Sequence, residues 1–172
     1  MIRKTMFAMI LMAVLLVPLW AQTETDFTVT PTIDGAGVVI TGYTGSATQL
    51  TVPDTIQGMP VREIGDGAFD SMIALAAITL PASLTNIGTG AFYGCTALAT
   101  VNLPASIRRI GAGAFYGCTA LTTVTIPASV ARIEFEFSGI FGYAFGDCPR
   151  LTPASRAALR RVGLPENPAM NY

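Results

Sequence analysis

The chain has 172 residues, of which 51% are hydrophobic and only 12% charged, with no histidine and a formal net charge of −1. The missing histidine excludes a Ser-His-Asp triad, a Cys-His pair and a His-ligated metal centre. The near-neutral balance lacks the basic stripe that phosphate recognition needs, which excludes nucleic-acid binding.

The first 21 residues read as a secretory signal peptide. Arg3 and Lys4 precede an uncharged, mostly apolar run from Thr5 to Trp20, and the small residue Ala21 then precedes the polar "QTETD". A positive start, a short apolar core and a small residue at the boundary are the marks of such a leader, with cleavage expected after Ala21. The run, interrupted by Pro18, falls short of the about 20 apolar residues that a membrane span needs. No other stretch resembles a span, so none is expected after the leader is removed. The chain from Gln22 keeps eight arginines and eleven acids, a net charge of −3. The expected location is outside the cell: secreted, on the outer surface or in the periplasm.

Residues 22–45 predict an N-terminal β cap. In "DFTVTPTIDGAGVVITGY" two strand-like runs flank Asp34-Gly35-Ala36-Gly37, the pattern of a hairpin.

Residues 46–151 carry an internal repeat. The phrase "GAFYGCTAL" at 90–98 returns at 113–121, with variants "GAFDSMIAL" at 67–75 and "YAFGDCPRL" at 143–151. Ile64, Ile87, Ile110 and Ile133 step by 23, as do Phe69, Phe92 and Phe115, and Pro81, Pro104 and Pro127. Apolar residues at such offsets cannot be buried within one unit, and must stack on the same positions of the next. Val124 and Ile126 alternate with Thr123 and Thr125, the period of a strand with one buried face. Pro127 ends that strand, and the glycines of "GTGAF" and "GAGAF" turn the chain. The Ala-Phe pair is then expected to start a helical turn, with Phe driven into the core.

The pattern C-x-x-L-x-x-V-x-[LI]-P-x-[SA]-[LVI]-x-x-I-G-x-x-A-F resembles the leucine-rich repeats of bacterial BspA-like surface proteins, the treponemal type. Spacing, proline, Ile-Gly and Ala-Phe all agree over four coils. The resemblance implies an α/β-type leucine-rich repeat solenoid, a right-handed coil of four repeats of about 23 residues with short parallel strands. It implies an exported protein that binds an extracellular protein or glycan, often in adhesion, with no catalytic residues and no cofactor. An envelope structural component that packs weakly with copies of itself is the alternative.

Two stretches depart from the pattern. About five extra residues, "QGMPV", lie between Pro53 and Ile64, and seven lie around "EFEFSGI" in the fourth coil. Residues 152–172 predict a C-terminal helical cap and tail, with Thr152 capping a helix from Pro153 and Gly163 as the stop. Leu159 and Val162 face the last coil in this reading, and Arg156, Arg160 and Arg161 stay in water.

Several constellations imitate chemistry. Cys95, Cys118 and Cys148 share one repeat position, about 5 Å apart if the coils stack as strands do. Met72 fills the slot in the first coil, which favours buried packing; a disulfide between two of them stays open. The glycine loops have the spacing G-x-G-x-x-x-G with no lysine, which is not a nucleotide fingerprint. Ser83, Ser106 and Ser129 form a column expected to bond the local backbone at a turn. Arg109 and Arg132 stack one coil apart, within reach of Glu134 or Glu136. None of these yields a catalytic, metal or cofactor residue, and the protein is read as not an enzyme.

The outward strand residues, such as Thr51, Thr79, Asn102 and Thr125, include no Trp, Tyr or Arg anchor of the kind that concentrates binding energy. The insertion is richer. In "IEFEFSGIFGYAF" the repeat assigns no core slot to Phe135, Phe137 or Phe141. These side chains either tuck under the C-terminal helix or, with Tyr143 and the Tyr93/Tyr116 column, form an aromatic partner site.

Overall fold

The computed structural model describes residues 24–134 and 143–163. Residues 1–23, which include the expected leader, Phe135, Phe137 and Phe141 of the insertion, and the tail after Gly163 lie outside the described residues.

A hairpin opens the fold. Strands β1 (Phe27–Pro31) and β2 (Val38–Tyr43) pair antiparallel. The turn between them is held by Thr32, whose hydroxyl donates to Asp34 Oδ1 at 2.6 Å and accepts from Gly37 N at 3.0 Å.

Each later coil contributes one strand to each of two sheets. β3 (Gln49–Thr51), β6 (Ala77–Thr79), β8 (Thr100–Asn102) and β10 (Thr123–Thr125) form a parallel four-stranded sheet. β5 (Met59–Ile64), β7 (Asn86–Ile87), β9 (Arg109–Ile110) and β11 (Arg132–Ile133) continue from β2 in the order β1-β2-β5-β7-β9-β11. The isoleucines that step by 23 are register partners here: Ile64 with Ile87, Ile87 with Ile110, Ile110 with Ile133. The extra residues of the first coil fold into a small hairpin of β4 (Thr55–Ile56) on β5, turned by Gln57 and Gly58 at φ 55° and 75°.

Strand alternation puts Leu50, Ile78, Val101 and Val124 inside and their neighbours in water. Behind them runs a ladder of rings. Phe69, Phe92, Phe115 and Phe145 are all buried, with successive centroids 5.1, 5.0 and 4.9 Å apart. Tyr43 of the hairpin lies 6.0 Å from Phe69 and begins the column. The ladder spacing equals the strand spacing, because both are set by one backbone repeat.

The segments that contain Ala-Phe differ from the expectation of a helical turn. They form successive turns and no helix, because alternate N–H groups are used between coils. Gly90 N donates to Ala112 O at 2.9 Å, Phe92 N to Ala114 O at 2.7 Å and Gly94 N to Tyr116 O at 2.8 Å. Only the intervening donors close locally, as Tyr93 N does on Gly90 O at 2.9 Å. A helix would need all of them within the segment.

The glycine after each core isoleucine allows the coils to approach. Gly88 N donates to Ile64 O and Gly111 N to Ile87 O, both at 2.8 Å. A Cβ on Gly88 would stand 2.6 Å from Asp66 N, and one on Gly111 would stand 2.5 Å from Thr89 N. The fourth position of this column is Glu134, where the sequence repeat breaks.

The solenoid ends on α1 (Pro153–Arg161), with Thr152 at its N-cap and Pro153 in its first turn. The cap also finishes a sheet. Ser155 is buried, and its hydroxyl accepts from Val124 N at 3.1 Å, giving the outermost strand β10 a partner. Leu159 is buried against the last coil. Arg156 is not simply hydrated as expected: its guanidinium donates to Leu151 O at 2.9 Å and Pro149 O at 3.0 Å. Two carbonyls at the turn before the helix are what hold it.

Candidate functional site

The described site residues meet around one glycine. Position 93 of the repeat is Asp70 in the first coil, then Tyr93, Tyr116 and finally Gly146. The Tyr93 and Tyr116 rings stack with centroids 5.3 Å apart and planes 8° from parallel. A Cβ on Gly146 would lie 2.7 Å from Tyr116 Cδ2 and 3.4 Å from Tyr143 O. Gly146 is therefore the seat of the tyrosine stack, and it ties that stack to Tyr143. Its own N–H donates to Tyr143 O at 3.0 Å.

This geometry decides what the column offers. The two tyrosines cover one face of each other, and Tyr116 lies against Gly146 on its far side. Both rings are half-buried, so part of each stays in water. Ring edges carry the positive part of the aromatic quadrupole and suit contacts with carbonyls, hydroxyls and other ring faces. Tyr143 packs partly against the core, and it is through its carbonyl that it meets Gly146. Sequence reasoning did not single out Gly146; the signal was a missing side chain at a position that is Tyr in the two preceding coils.

The outer face of the four-stranded sheet is the other large surface. Gln49, Ala77, Thr100 and Thr123 form one row, and Thr51, Thr79, Asn102 and Thr125 the next. Thr125 donates to Asn102 Oδ1 at 3.0 Å across the strands. These outward residues are mostly polar and none is charged.

The remaining constellations are structural. Cys95, Cys118 and Cys148 are free and buried, and each Sγ lies 3.2–3.3 Å from the carbonyl of the phenylalanine one coil before it. Burial pushes the Cys95 and Cys148 thiols up to about 12 and raises Cys118 as well. Such thiols are neutral donors and poor nucleophiles. The serine column does not bond its own turn, in contrast to the expectation. Ser83 donates to Val61 O at 2.7 Å and Ser106 to Leu84 O at 2.5 Å, both one coil back. Ser129, at the end of the column, has a buried hydroxyl with no partner among the described residues. Of the two glutamates in reach of the arginine pair, Glu134 meets both. Its carboxylate takes Arg109 at 3.0 Å through both oxygens and Arg132 at 3.3 Å. Among the described residues no helix is long and apolar enough to cross a membrane.

Stacked coils with one short strand per sheet, a ring ladder and a thiol column define a leucine-rich repeat solenoid. The family model for the BspA type leucine-rich repeat region matches residues 42–154 in six copies. The chain belongs to that family. No curated protein matches it. Among solved structures it is similar to a leucine-rich repeat protein from Bacteroides capillosus, at 27% identity and TM-score 0.59, covering 77% of this chain and 97% of that one. It is also similar to a leucine-rich cell surface protein from Faecalibacterium prausnitzii, at 27% identity and TM-score 0.58. That match covers 76% of this chain and 42% of the other, so this chain spans under half the length of that relative. A third, from Bacteroides ovatus, gives 27% identity and TM-score 0.61 over 72% of this chain and 32% of that one.

Proposed function

We propose that the protein is an exported, non-catalytic recognition module that attaches to an extracellular protein or glycan, with adhesion as its role. Its contact region is the aromatic edge of Tyr93, Tyr116 and Tyr143, together with Phe135, Phe137 and Phe141, which follow directly on the last described strand. The observation that carries this reading is the Tyr93–Tyr116 stack seated on Gly146. It is a rigid, half-exposed aromatic row on a solenoid whose sheet face lacks any anchor.

Size sets the strength. Four strands at about 4.8 Å spacing with three residues each expose roughly 300 Å² of sheet face. A standard interface buries about 800 Å² per partner. The sheet face alone therefore cannot be a tight binding site, and attachment through several copies acting together fits better. The relative from F. prausnitzii is described as a cell surface protein, which agrees with export.

Cross-linking the protein on intact cells tests the reading. A foreign protein or glycan joined to it supports recognition; adducts with copies of itself alone contradict it.

A further inference from the structure

Charge is distributed unevenly along the stacking direction. From Gln22 to Thr100 the chain carries seven carboxylates and one arginine, net −6; from Val101 onward it carries seven arginines and four carboxylates, net +3. The described strands stack in chain order, so along them position in the sequence follows position along the solenoid. Asp54, Asp66 and Asp70 are exposed in the first coil, and Arg132, Arg150 and Arg161 at the other end. Glu134 neutralises one of the two arginines it touches, and the end remains positive.

The strand order adds a second observation. β1 and β11 are the outermost strands of the seven-stranded sheet, and among the described residues each has a hydrogen-bonded neighbour on one side only. β1 runs opposite to β2, β5, β7, β9 and β11, so β1 of one copy set against β11 of another would pair antiparallel. The helix cap finishes the four-stranded sheet through Ser155, and among the described residues it makes no such hydrogen bond to β11.

We propose that copies of this chain associate head to tail, the acidic N-terminal end of one against the basic C-terminal end of the next. Like ends repel, which disfavours head-to-head and tail-to-tail dimers. The contact is heterologous and does not close on itself, so it builds chains of copies. Exposed ion pairs are individually weak, and the association is screened by salt. The inference rests on charge and strand order rather than on the recognition site, although Phe135 and Phe137 of that site follow closely on β11 in the sequence. Its consequence would be to line up several small binding faces.

Sedimentation velocity over a range of protein concentrations tests it. At about 0.01 M salt, where the screening length is about 30 Å, the weight-average coefficient should rise continuously with concentration; at about 1 M, with about 3 Å, it should not. Two charge variants locate the contact. Asp54→Lys with Asp70→Lys weakens the acidic end, and Arg150→Glu with Arg161→Glu removes the basic one. With thermal melting unchanged, each alone should associate about tenfold more weakly. An equimolar mixture has one intact end on each variant and should stop at a dimer. A wild-type protein that stays monomeric at low salt, or that itself stops at a dimer, overturns the proposal. So does a mixture no larger than its separate components.

Discussion

The ring of Phe92 lies 5.0 Å from that of Phe115, with planes 8° apart, and both are fully buried. Each coil is held to the next by this contact, so removing one ring leaves a cavity shared by three coils. Phe92→Ala is expected to cost about 3–5 kcal/mol, the range for buried phenylalanine truncation. Tyr93→Ala, one residue away on the half-exposed stack, should lose about 0.5–1.5 kcal/mol from the ring pair. Urea denaturation of the two variants checks the contrast, and equal losses would contradict it.

Gly111→Ala tests the close approach of coils. The new Cβ would meet Thr89 N at 2.5 Å and Gly88 C at 2.6 Å, both backbone atoms that cannot rotate away. A loss of about 1–3 kcal/mol is expected, as for an overpacked interior. An unchanged melting temperature would mean that the coils part more easily than the backbone bonds imply.

The thiol column makes stability depend on alkaline pH. The ordinary thiol value is 9.0, and burial pushes Cys95 and Cys148 up to about 12. The folded state therefore keeps protons that the unfolded chain loses above pH 9. Their contribution is full below pH 9 and falls away as pH rises toward about 12. The slope is about 1.4 kcal/mol per pH unit for each thiol. Denaturation midpoints between pH 8 and 11 should drop, and Cys95→Ala should flatten the decline by one thiol's share. The same protein unfolded without reductant should titrate three free thiols; a single one would mean a disulfide.

Arg109, Arg132 and Glu134 form a surface cluster, with the arginines 54% and 74% exposed and the glutamate 20%. The bidentate hydrogen bond to Glu134 raises the Arg109 value further above its usual range, so its charge is permanent. Glu134→Gln is expected to cost less than about 1 kcal/mol, and less still in high salt. A larger, salt-independent loss in thermal melting would mean that the cluster is a structural lock.

The columns were legible in the sequence because a solenoid writes its stacking contacts as a fixed step. Ile64, Ile87 and Ile110, the phenylalanines and the cysteines could be placed by counting, and Thr152 announced the final helix through its neighbour Pro153. Contacts that depend on the coil one step back were not legible. Ser83 looked like a turn residue because its acceptor, Val61 O, is 22 residues away. Arg156 looked like a surface charge because its acceptors are carbonyls, which carry no sequence signature. The donors around Phe92 suggested a helical turn because sequence alone does not show that they serve the next coil. At the candidate site the tyrosine column could be counted, whereas its seat on Gly146 could not. The aligned phrase "YAFGDCPRL" puts Gly146 after Tyr116 in the column, but nothing in the sequence shows that the ring packs on it.

The central claim is that the tyrosine row, together with the phenylalanines of residues 135–141, recognises a partner, and paired measurements on Phe135→Ala and Phe137→Ala test it most directly. Stability by urea denaturation and attachment to intact cells are read on the same preparations. Stability within about 0.5 kcal/mol of the parent, with attachment lost, is the expected result for exposed partner-binding side chains. A loss of about 3–5 kcal/mol in each variant would identify both rings as buried packing and contradict the claim.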